Sequence, residues 1–153
     1  MRFFEKVLYL YKATEYMKEL EKTCNAVYSL RYHLILCVKY RRDCFADERI
    51  RDRFKELSLT VASTQGVEVI EQECGDDHVH LLISTKPSTS LTTYINYLKT
   101  YSSRMLRKEF SEEIRKKLWG DAFWSPSYYL STVGNVSLDT LYRYVEGQRK
   151  EKE

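Results

Sequence analysis

The chain has 153 residues, of which 43% are hydrophobic, and this suits one domain with a substantial core. The net charge of +3 permits a polyanionic partner without requiring one, and the four cysteines show no C-x-x-C spacing, which argues against a disulfide or zinc-cysteine framework. No apolar run has membrane-spanning length, and charges interrupt the apolar N-terminal residues where a signal peptide has none. We therefore expect a cytoplasmic protein with no membrane association.

The N-terminal part of the chain divides into an extension and the start of a domain. Residues 1–24 predict a charged, amphipathic helical extension, and residues 25–153 are expected to form the domain itself. From Val27 to Tyr40, apolar and mixed side chains alternate as in a strand with one apolar face. Apolar residues then recur at three- and four-residue intervals, which predicts a helix that Gly66 ends.

The second half of the domain continues with strand and helix signals. Residues 67–74 and the residues after the Gly75-Asp76 turn predict a hairpin. A long helix, a strand and a final helix follow. The helix is capped by Ser88 or Ser90 and runs to about Phe110, the strand spans Phe123 to Val133, and the final helix runs from Leu138 towards Gln148. Pro126 within the strand predicts an edge position or a bulge.

The predicted element order is β-α-β-β-α-β-α. This is the order of the split βαβ, ferredoxin-like plan with one additional C-terminal helix. In such an α+β fold, an antiparallel sheet carries its helices on one face and leaves the other face open. We therefore expect the functional site on the open face.

Two histidines stand two residues apart in Asp77-His78-Val79-His80. Because side chains on a strand repeat every second residue, both imidazoles point to one face and could bind one metal ion. The alternative is a half-buried strand whose histidines bind nothing. The third histidine, His33, is expected to be structural or to face DNA rather than to bind the metal.

The final helix offers two candidate pairs of polar residues. Tyr144 and Gln148 lie one turn apart, so that Gln148 could complete a His-His-Gln site and Tyr144 could aim its oxygen at a bound phosphate. Tyr142 and Glu146 have the same spacing, and a carboxylate is the better ligand for a hard metal ion. Periodicity favours Tyr142 as a core residue, in an apolar stripe with Leu138, Leu141 and Val145. Spacing alone does not decide between the pairs.

The sequence resembles a known family, the single-tyrosine HUH transposases called TnpA of the insertion sequence 200/605 group, from about Val27 to Gln148. The resemblance rests on five blocks in order: Tyr32-His33-Leu34 with Lys39-Tyr40-Arg41-Arg42, Asp77-His78-Val79-His80-Leu81-Leu82, Lys99-Thr100-Tyr101-Ser102-Ser103-Arg104, Phe123-Trp124-Ser125 through Thr132-Val133-Gly134, and Tyr144-Val145-Glu146-Gly147-Gln148. It implies that His78, His80 and Gln148 are metal ligands and that Tyr144 is the nucleophile.

The resemblance also implies the reaction. By this resemblance, the protein is expected to be a homodimer that recognises hairpins at the ends of a mobile element. It is expected to cut single-stranded DNA with Mg²⁺ or Mn²⁺ and to hold the 5′ phosphate on tyrosine until a 3′ hydroxyl attacks. No nucleotide cofactor is needed, since each bond is exchanged for one of similar energy, and the chain has no G-x-x-x-x-G-K-[ST] loop.

The N-terminal extension departs from the family, because the resemblance begins only a few residues before Tyr28. Met17 would be a natural alternative start. We predict that residues 1–16 are dispensable for DNA cleavage. A truncated chain that starts at Met17, folds and fails to cleave would contradict this prediction.

Basic and aromatic residues predict a DNA-binding surface. Candidates for salt-sensitive phosphate contacts are Lys39, Arg41, Arg42, Lys99 and Arg104. Tyr128 and Tyr129 could stack on unpaired bases, although strand packing explains them equally well, and Trp119 and Trp124 are interpreted as core or interface anchors. Two alternatives to a transposase are a domesticated nuclease that cuts repeated hairpins and a non-catalytic module that binds single-stranded nucleic acid.

Overall fold

A computed structural model describes residue 5 and residues 21–22, 26–133 and 143–147 of the chain. The strands are β1 (Glu21–Lys22), β2 (Val27–Tyr28), β3 (Arg31–Val38), β4 (Val67–Cys74), β5 (His78–Thr85) and β6 (Trp124–Thr132). The helices are α1 (Glu48–Gln65), α2 (Leu91–Glu109), α3 (Ser111–Arg115) and α4, the helical residues 143–147. None of the described helices is long and apolar enough to cross a bilayer.

The centre of the molecule is a four-stranded sheet in the order β4-β5-β3-β6. All of its strand pairs are antiparallel. In the register of β3 and β5, Ile35 lies opposite His80 and Cys37 lies opposite His78. The predicted α+β class with an antiparallel sheet is confirmed.

One face of the sheet forms the main core with α1 and α2. Alternate residues of β3 and β5 are buried against these helices: Leu34, Leu36, Val38, Val79, Leu81 and Ile83. From the helices come Ile50, Phe54, Leu57, Val61, Tyr94, Ile95, Leu98 and Leu106. Each such side chain contributes about 1.5–3 kcal/mol when it leaves water. The core therefore uses one set of alternate strand residues and leaves the other set for the opposite face.

The helix boundaries follow from local capping residues, of which Gly66 and a serine at 88 or 90 were predicted in the sequence. Asp47 accepts a hydrogen bond from the backbone N–H of Arg49 at 2.9 Å and begins α1. Gly66 ends it with a left-handed φ of 67°, which glycine adopts without steric cost. At the start of α2, Ser90 rather than Ser88 is the cap and accepts from the N–H of Thr93 at 3.4 Å.

Strand β6 lies at an edge of the sheet, as Pro126 predicts. Among the described strands it pairs only with β3, and the register shifts between Leu36 and Val38. Proline has no N–H to donate to a strand ladder, so an irregular edge accommodates it. The Lys99 ammonium donates to the backbone oxygens of Ser125 and Pro126 at 2.8 and 3.2 Å.

The N-terminal predictions need correction. Of the predicted helical extension 1–24, the structure describes only Glu5, which is helical, and Glu21–Lys22, which form β1 instead of helix. Strand β1 pairs with β2, and the Ser84 hydroxyl donates to Glu21 Oε1 at 2.6 Å. These non-local contacts override the helical pattern. The strand predicted over 27–40 is interrupted between β2 and β3 and ends at Val38.

The second face of the sheet carries a smaller cluster. Ile35 and Cys37 of β3 are buried there with Val145 of α4, and Tyr129 and Tyr144 pack against them. Val145 is buried, as the predicted apolar stripe requires. The rest of the predicted final helix, residues 138–142 and Gln148, lies outside the described residues.

Candidate active site

The histidine pair lies on the second face of the sheet. His78 is 4% exposed and His80 is fully buried, and they stand opposite Cys37 and Ile35 of β3. This confirms that both imidazoles point away from the core formed with α1 and α2. The strand period that predicted it is a local property of the backbone.

A carboxylate orients the first imidazole. Asp77 Oδ1 lies 2.5 Å from His78 Nδ1, which therefore carries the proton and leaves the lone pair on Nε2 to bind a metal ion. Burial raises the pKa of the Asp77 carboxyl, but hydrogen bonds from His78 and Arg41 outweigh it and lower the pKa to about 2. Asp77 therefore stays charged in neutral solution. The sequence motif contained Asp77, yet its role became visible only in the structure.

The second imidazole contacts the third histidine of the chain. His33 Nδ1 lies 3.0 Å from His80 Nε2, and the His33 side chain is fully buried. His33 is therefore structural and does not face DNA. Burial lowers the pKa of His33 to about 4. Burial, and then repulsion from His33 and His78, lowers the pKa of His80 to about 3. Both rings are therefore neutral near pH 7.

This contact decides how His80 could bind a metal ion. His80 Nδ1 and His33 Nε2 are buried and make no hydrogen bond to any described residue. If His80 Nε2 carries the proton and donates to His33, the lone pair on His80 Nδ1 is left over. A buried imidazole nitrogen without a partner costs free energy unless something binds it. The pair therefore fits a metal ion through His78 Nε2 and His80 Nδ1.

The described residues offer no imidazole, thiolate or carboxylate as a third ligand of such a site. Within them, no three His, Cys, Asp or Glu side chains form a group able to hold a metal ion. The predicted third ligand, Gln148, lies outside the described part of the chain. The two imidazoles thus supply part of a ligand set and require a further donor.

Tyr144 lies on the same face as the histidines. It packs against Ile35 and Cys37, the residues that stand opposite His80 and His78, and its ring centroid is 4.9 Å from that of Tyr129. The fold therefore brings the predicted nucleophile and two predicted ligands to one surface. Tyr142, the competing tyrosine, lies outside the described residues.

Arg41 connects the histidine pair to the tyrosine helix. Its guanidinium is 2% exposed, donates to both Asp77 oxygens at 2.9 Å and donates to the backbone oxygen of Val145 at 2.8 Å. Tyr40 and Arg41 have left-handed φ angles of 58° and 53°. This conformation costs about 1–2 kcal/mol per residue, and the buried ion pair offsets it. Arg41 was predicted to contact DNA phosphate, whereas in the structure it is held inside the protein.

The family model for IS200-like transposases matches residues 26–148. The chain belongs to the IS200-like transposase family. Its members are transposases, so the chain is assigned to DNA transposition and recombination. The match begins just after the predicted N-terminal extension and includes the histidine pair, Tyr144 and Gln148.

Sequence relatives agree with the family model. The chain is 37% identical over 130 residues to the ISDra2 transposase TnpA of Deinococcus radiodurans, covering 85% of this chain and 91% of that protein. It is 31% identical over 124 residues to the transposase for insertion sequence element IS200 of Salmonella typhimurium, covering 81% and 80%.

Solved structures show the same relationship at the level of the fold. A crystal structure described as that of a transposase from Deinococcus radiodurans R1 matches with a TM-score of 0.76 and 32% identity, covering 84% of this chain and 97% of that one. A REP-associated tyrosine transposase, solved bound to a REP hairpin, matches with a TM-score of 0.53 and 10% identity, covering 82% and 67%. The second match is evidence for the fold alone.

The other predicted DNA contacts of this IS200-like transposase have different surroundings. Arg104 is exposed and lines an open groove between α2 and the segment before β6. Lys99 lines the same groove, but its ammonium already binds backbone oxygens, and burial lowers its pKa. Lys39 and Arg42 are half-buried and lie over aromatic rings. Whether these residues contact DNA stays a prediction.

The predicted aromatic residues also differ in their surroundings: some are packed in the protein, and one is exposed. Trp124 is 5% exposed and is a core residue, and its Nε1 donates to Ser102 Oγ at 3.0 Å. Trp119 is 84% exposed, so it is not a core residue, and its role as an interface anchor stays a prediction. Tyr128 packs against the main core, and Tyr129 packs beside Tyr144.

Proposed function

We propose that this protein is a DNA transposase that cleaves and rejoins single-stranded DNA at hairpin-marked element ends through a 5′-phosphotyrosine on Tyr144. His78, His80 and Gln148 would hold Mg²⁺ or Mn²⁺, and the active form would be a homodimer. The observation that carries the proposal is the shared sheet face of Tyr144 and the histidine pair. The strand order β4-β5-β3-β6 supports a ferredoxin-like plan with the tyrosine on an added C-terminal helix.

The residues of the site have distinct tasks in this proposal. The metal ion, when bound, polarises the scissile phosphate. Asp77 fixes the orientation of His78, and His33 fixes that of His80, so that both imidazoles present a lone pair. Tyr144 Oη attacks phosphorus and forms the phosphotyrosine bond, while the bond from phosphorus to the 3′ oxygen breaks. The phenolic proton passes to solvent, and the leaving 3′ oxygen takes a proton from solvent and ends as a hydroxyl.

The nature of the DNA partner rests on similarity. A fold relative was solved bound to a DNA hairpin, and the chain shares its family with transposases of insertion sequences. Exposed basic side chains such as Arg104 supply the positive charge that a phosphate backbone requires. We therefore propose single-stranded DNA that carries a hairpin as the substrate.

The test is detection of a covalent protein–DNA adduct. The protein is incubated with Mn²⁺ and single-stranded oligonucleotides that carry the imperfect hairpins flanking its gene. The products are separated under denaturing conditions, and the modified peptide is mapped by mass spectrometry. We expect an adduct on the peptide containing Tyr144, and none with Tyr144→Phe although this variant still binds DNA.

Tyr142→Phe is the matched control, since it removes the competing phenol two residues away and should still form the adduct. An adduct that persists in Tyr144→Phe and is lost in Tyr142→Phe would show that Tyr142, and not Tyr144, is the nucleophile. Tight hairpin binding with no adduct under any divalent metal would favour the non-catalytic binding module.

A further inference from the structure

Two exposed aromatic rings, one on the turn after β3 and one on the segment between α3 and β6, each lie beside a cation. Tyr40 is 59% exposed, and Lys39 Nζ lies 5.2 Å from its ring centroid. Trp119 is 84% exposed, and Arg42 Cζ lies 5.5 Å from its ring centroid. Single exposed aromatic residues are ordinary on protein surfaces. Two of them with adjacent cations, one on a turn and one packed beside it, form a chemically specific surface.

Two segments distant in sequence build this surface. Trp119 lies between α3 and β6, and neighbouring Lys117 donates to the backbone oxygen of Asp43 at 2.9 Å and lies 3.3 Å from its carboxylate. This contact holds the segment of Trp119 against the turn that carries Arg42. The two backbone segments that carry the rings are therefore joined by a contact that does not involve the rings.

The surface adjoins the candidate active site. Within the left-handed turn, the Arg41 guanidinium is buried against Asp77, the residue that holds His78. Its neighbours Tyr40 and Arg42 place their side chains beside Lys39 and Trp119 instead. The strained turn thus connects the site to the exposed rings, and backbone strain of this kind is typical of functional surfaces.

We propose that Lys39, Tyr40, Arg42 and Trp119 form a stacking platform for unpaired bases of single-stranded DNA next to the active site. A cation over one face of Trp119 leaves the opposite face open to a base, and the two cations neutralise the adjoining phosphates. Stacking accepts every base, so the platform holds the strand without reading its sequence. This proposal rests on the proposed function, because it names the surface that guides the substrate strand.

The two tryptophans allow a direct test. Trp119 is 84% exposed and Trp124 is 5% exposed, so a quencher in solution acts mainly on Trp119. The full chain is titrated in EDTA, which prevents cleavage, with an oligothymidine lacking any hairpin. We expect quenching of tryptophan fluorescence, loss of most of that quenching in Trp119→Phe, and little quenching by an oligonucleotide of abasic residues.

Affinity is measured in parallel by anisotropy of a labelled oligothymidine. Trp119→Ala and Tyr40→Ala should each weaken binding by about 5- to 100-fold, which corresponds to the loss of one stacked base. Tyr97→Ala is the matched control, since Tyr97 is 43% exposed on α2, stacks on Tyr101 and has no part in the platform. It should bind as the wild type does, and circular dichroism should show that all variants are folded.

Two results would overturn the proposal. Wild-type affinity in both Trp119→Ala and Tyr40→Ala would show that the rings do not contact DNA. Dissociation of a wild-type dimer by Trp119→Ala, with unchanged affinity of the monomer for DNA, would make the surface a contact between copies of the chain. In either case the proposed function stands if the wild type forms the Tyr144 adduct, and it fails if the wild type forms none.

Discussion

At the scale of single residues, Arg41 joins two parts of the candidate site. Its planar fork binds both oxygens of Asp77 and the backbone oxygen of Val145 at the same time. It therefore supports the proposed metal ligand His78, through Asp77, and the helix that carries the proposed nucleophile. Such supporting groups commonly affect metal affinity or activity as strongly as some direct contacts.

We predict that Arg41→Lys slows adduct formation by about 10- to 100-fold and raises the Mn²⁺ concentration required, because an ammonium cannot replace a fork with several partners. Single-turnover cleavage at a series of Mn²⁺ concentrations measures both effects. Arg42→Lys is the control next in sequence, since Arg42 lies over Trp119 and should affect DNA affinity without changing the metal requirement. Unchanged rate and metal dependence in Arg41→Lys would show that the buried guanidinium does not position His78 or the helix that carries Tyr144.

At the scale of elements, the helix ends are set by single residues with specific backbone conformations. Gly66 ends α1 in the left-handed region with a φ of 67°, and an added Cβ would have no atom within 4 Å. Any cost of a side chain there comes from the backbone alone. The same turn leads directly into β4, so its geometry also fixes how that strand joins the sheet.

We predict that Gly66→Ala lowers the free energy of unfolding by about 1 kcal/mol, the cost of a left-handed residue with a Cβ. Urea denaturation of both proteins gives the difference. Gly120→Ala is the matched control, because Gly120 also has open space around an added Cβ but no positive φ, and it should change stability less. Equal stability of Gly66→Ala and the wild type would mean that the turn relaxes without strain.

At the scale of the whole molecule, the main core and the candidate active site lie on opposite faces of the sheet. One face is sealed by α1 and α2 in the main core, and the other carries the histidines, Tyr144 and α4. A metal ion bound on the second face by the folded protein alone must stabilise the whole fold through linkage. Binding should therefore be detectable without DNA.

We predict that Mn²⁺ at 100 times its Kd stabilises the protein by about 2.7 kcal/mol and that EDTA reverses the gain. Thermal unfolding with and without Mn²⁺ measures it as a rise in Tm. His78→Ala and His80→Ala should lose the rise, whereas Tyr144→Phe should keep it because the phenol is not a ligand. A rise in Tm that persists in both histidine variants would show that Mn²⁺ binds at another site.

Much of the fold and part of the site followed from local sequence patterns. The alternation in β3 and β5, a serine cap at Ser88 or Ser90, and the stop at Gly66 are properties of a few neighbouring residues, so they were predictable. The helix predicted over 1–24 was wrong at Glu21–Lys22, where pairing with β2 overrides helical periodicity. The sequence left core and interface open for both tryptophans, because composition does not show which large aromatic residue the core leaves out.

By itself, the sequence determined the class of the fold, the shared face of His78 and His80, and the resemblance to the IS200-like transposases, since these depend on periodicity and motif order. Only the tertiary structure decided that Arg41 points inward to Asp77 and Val145 and that His33 contacts His80. The partners in these contacts are 36, 104 and 47 residues apart in the chain. No local pattern specifies a contact over such separations, because it forms only when the strands and α4 come together.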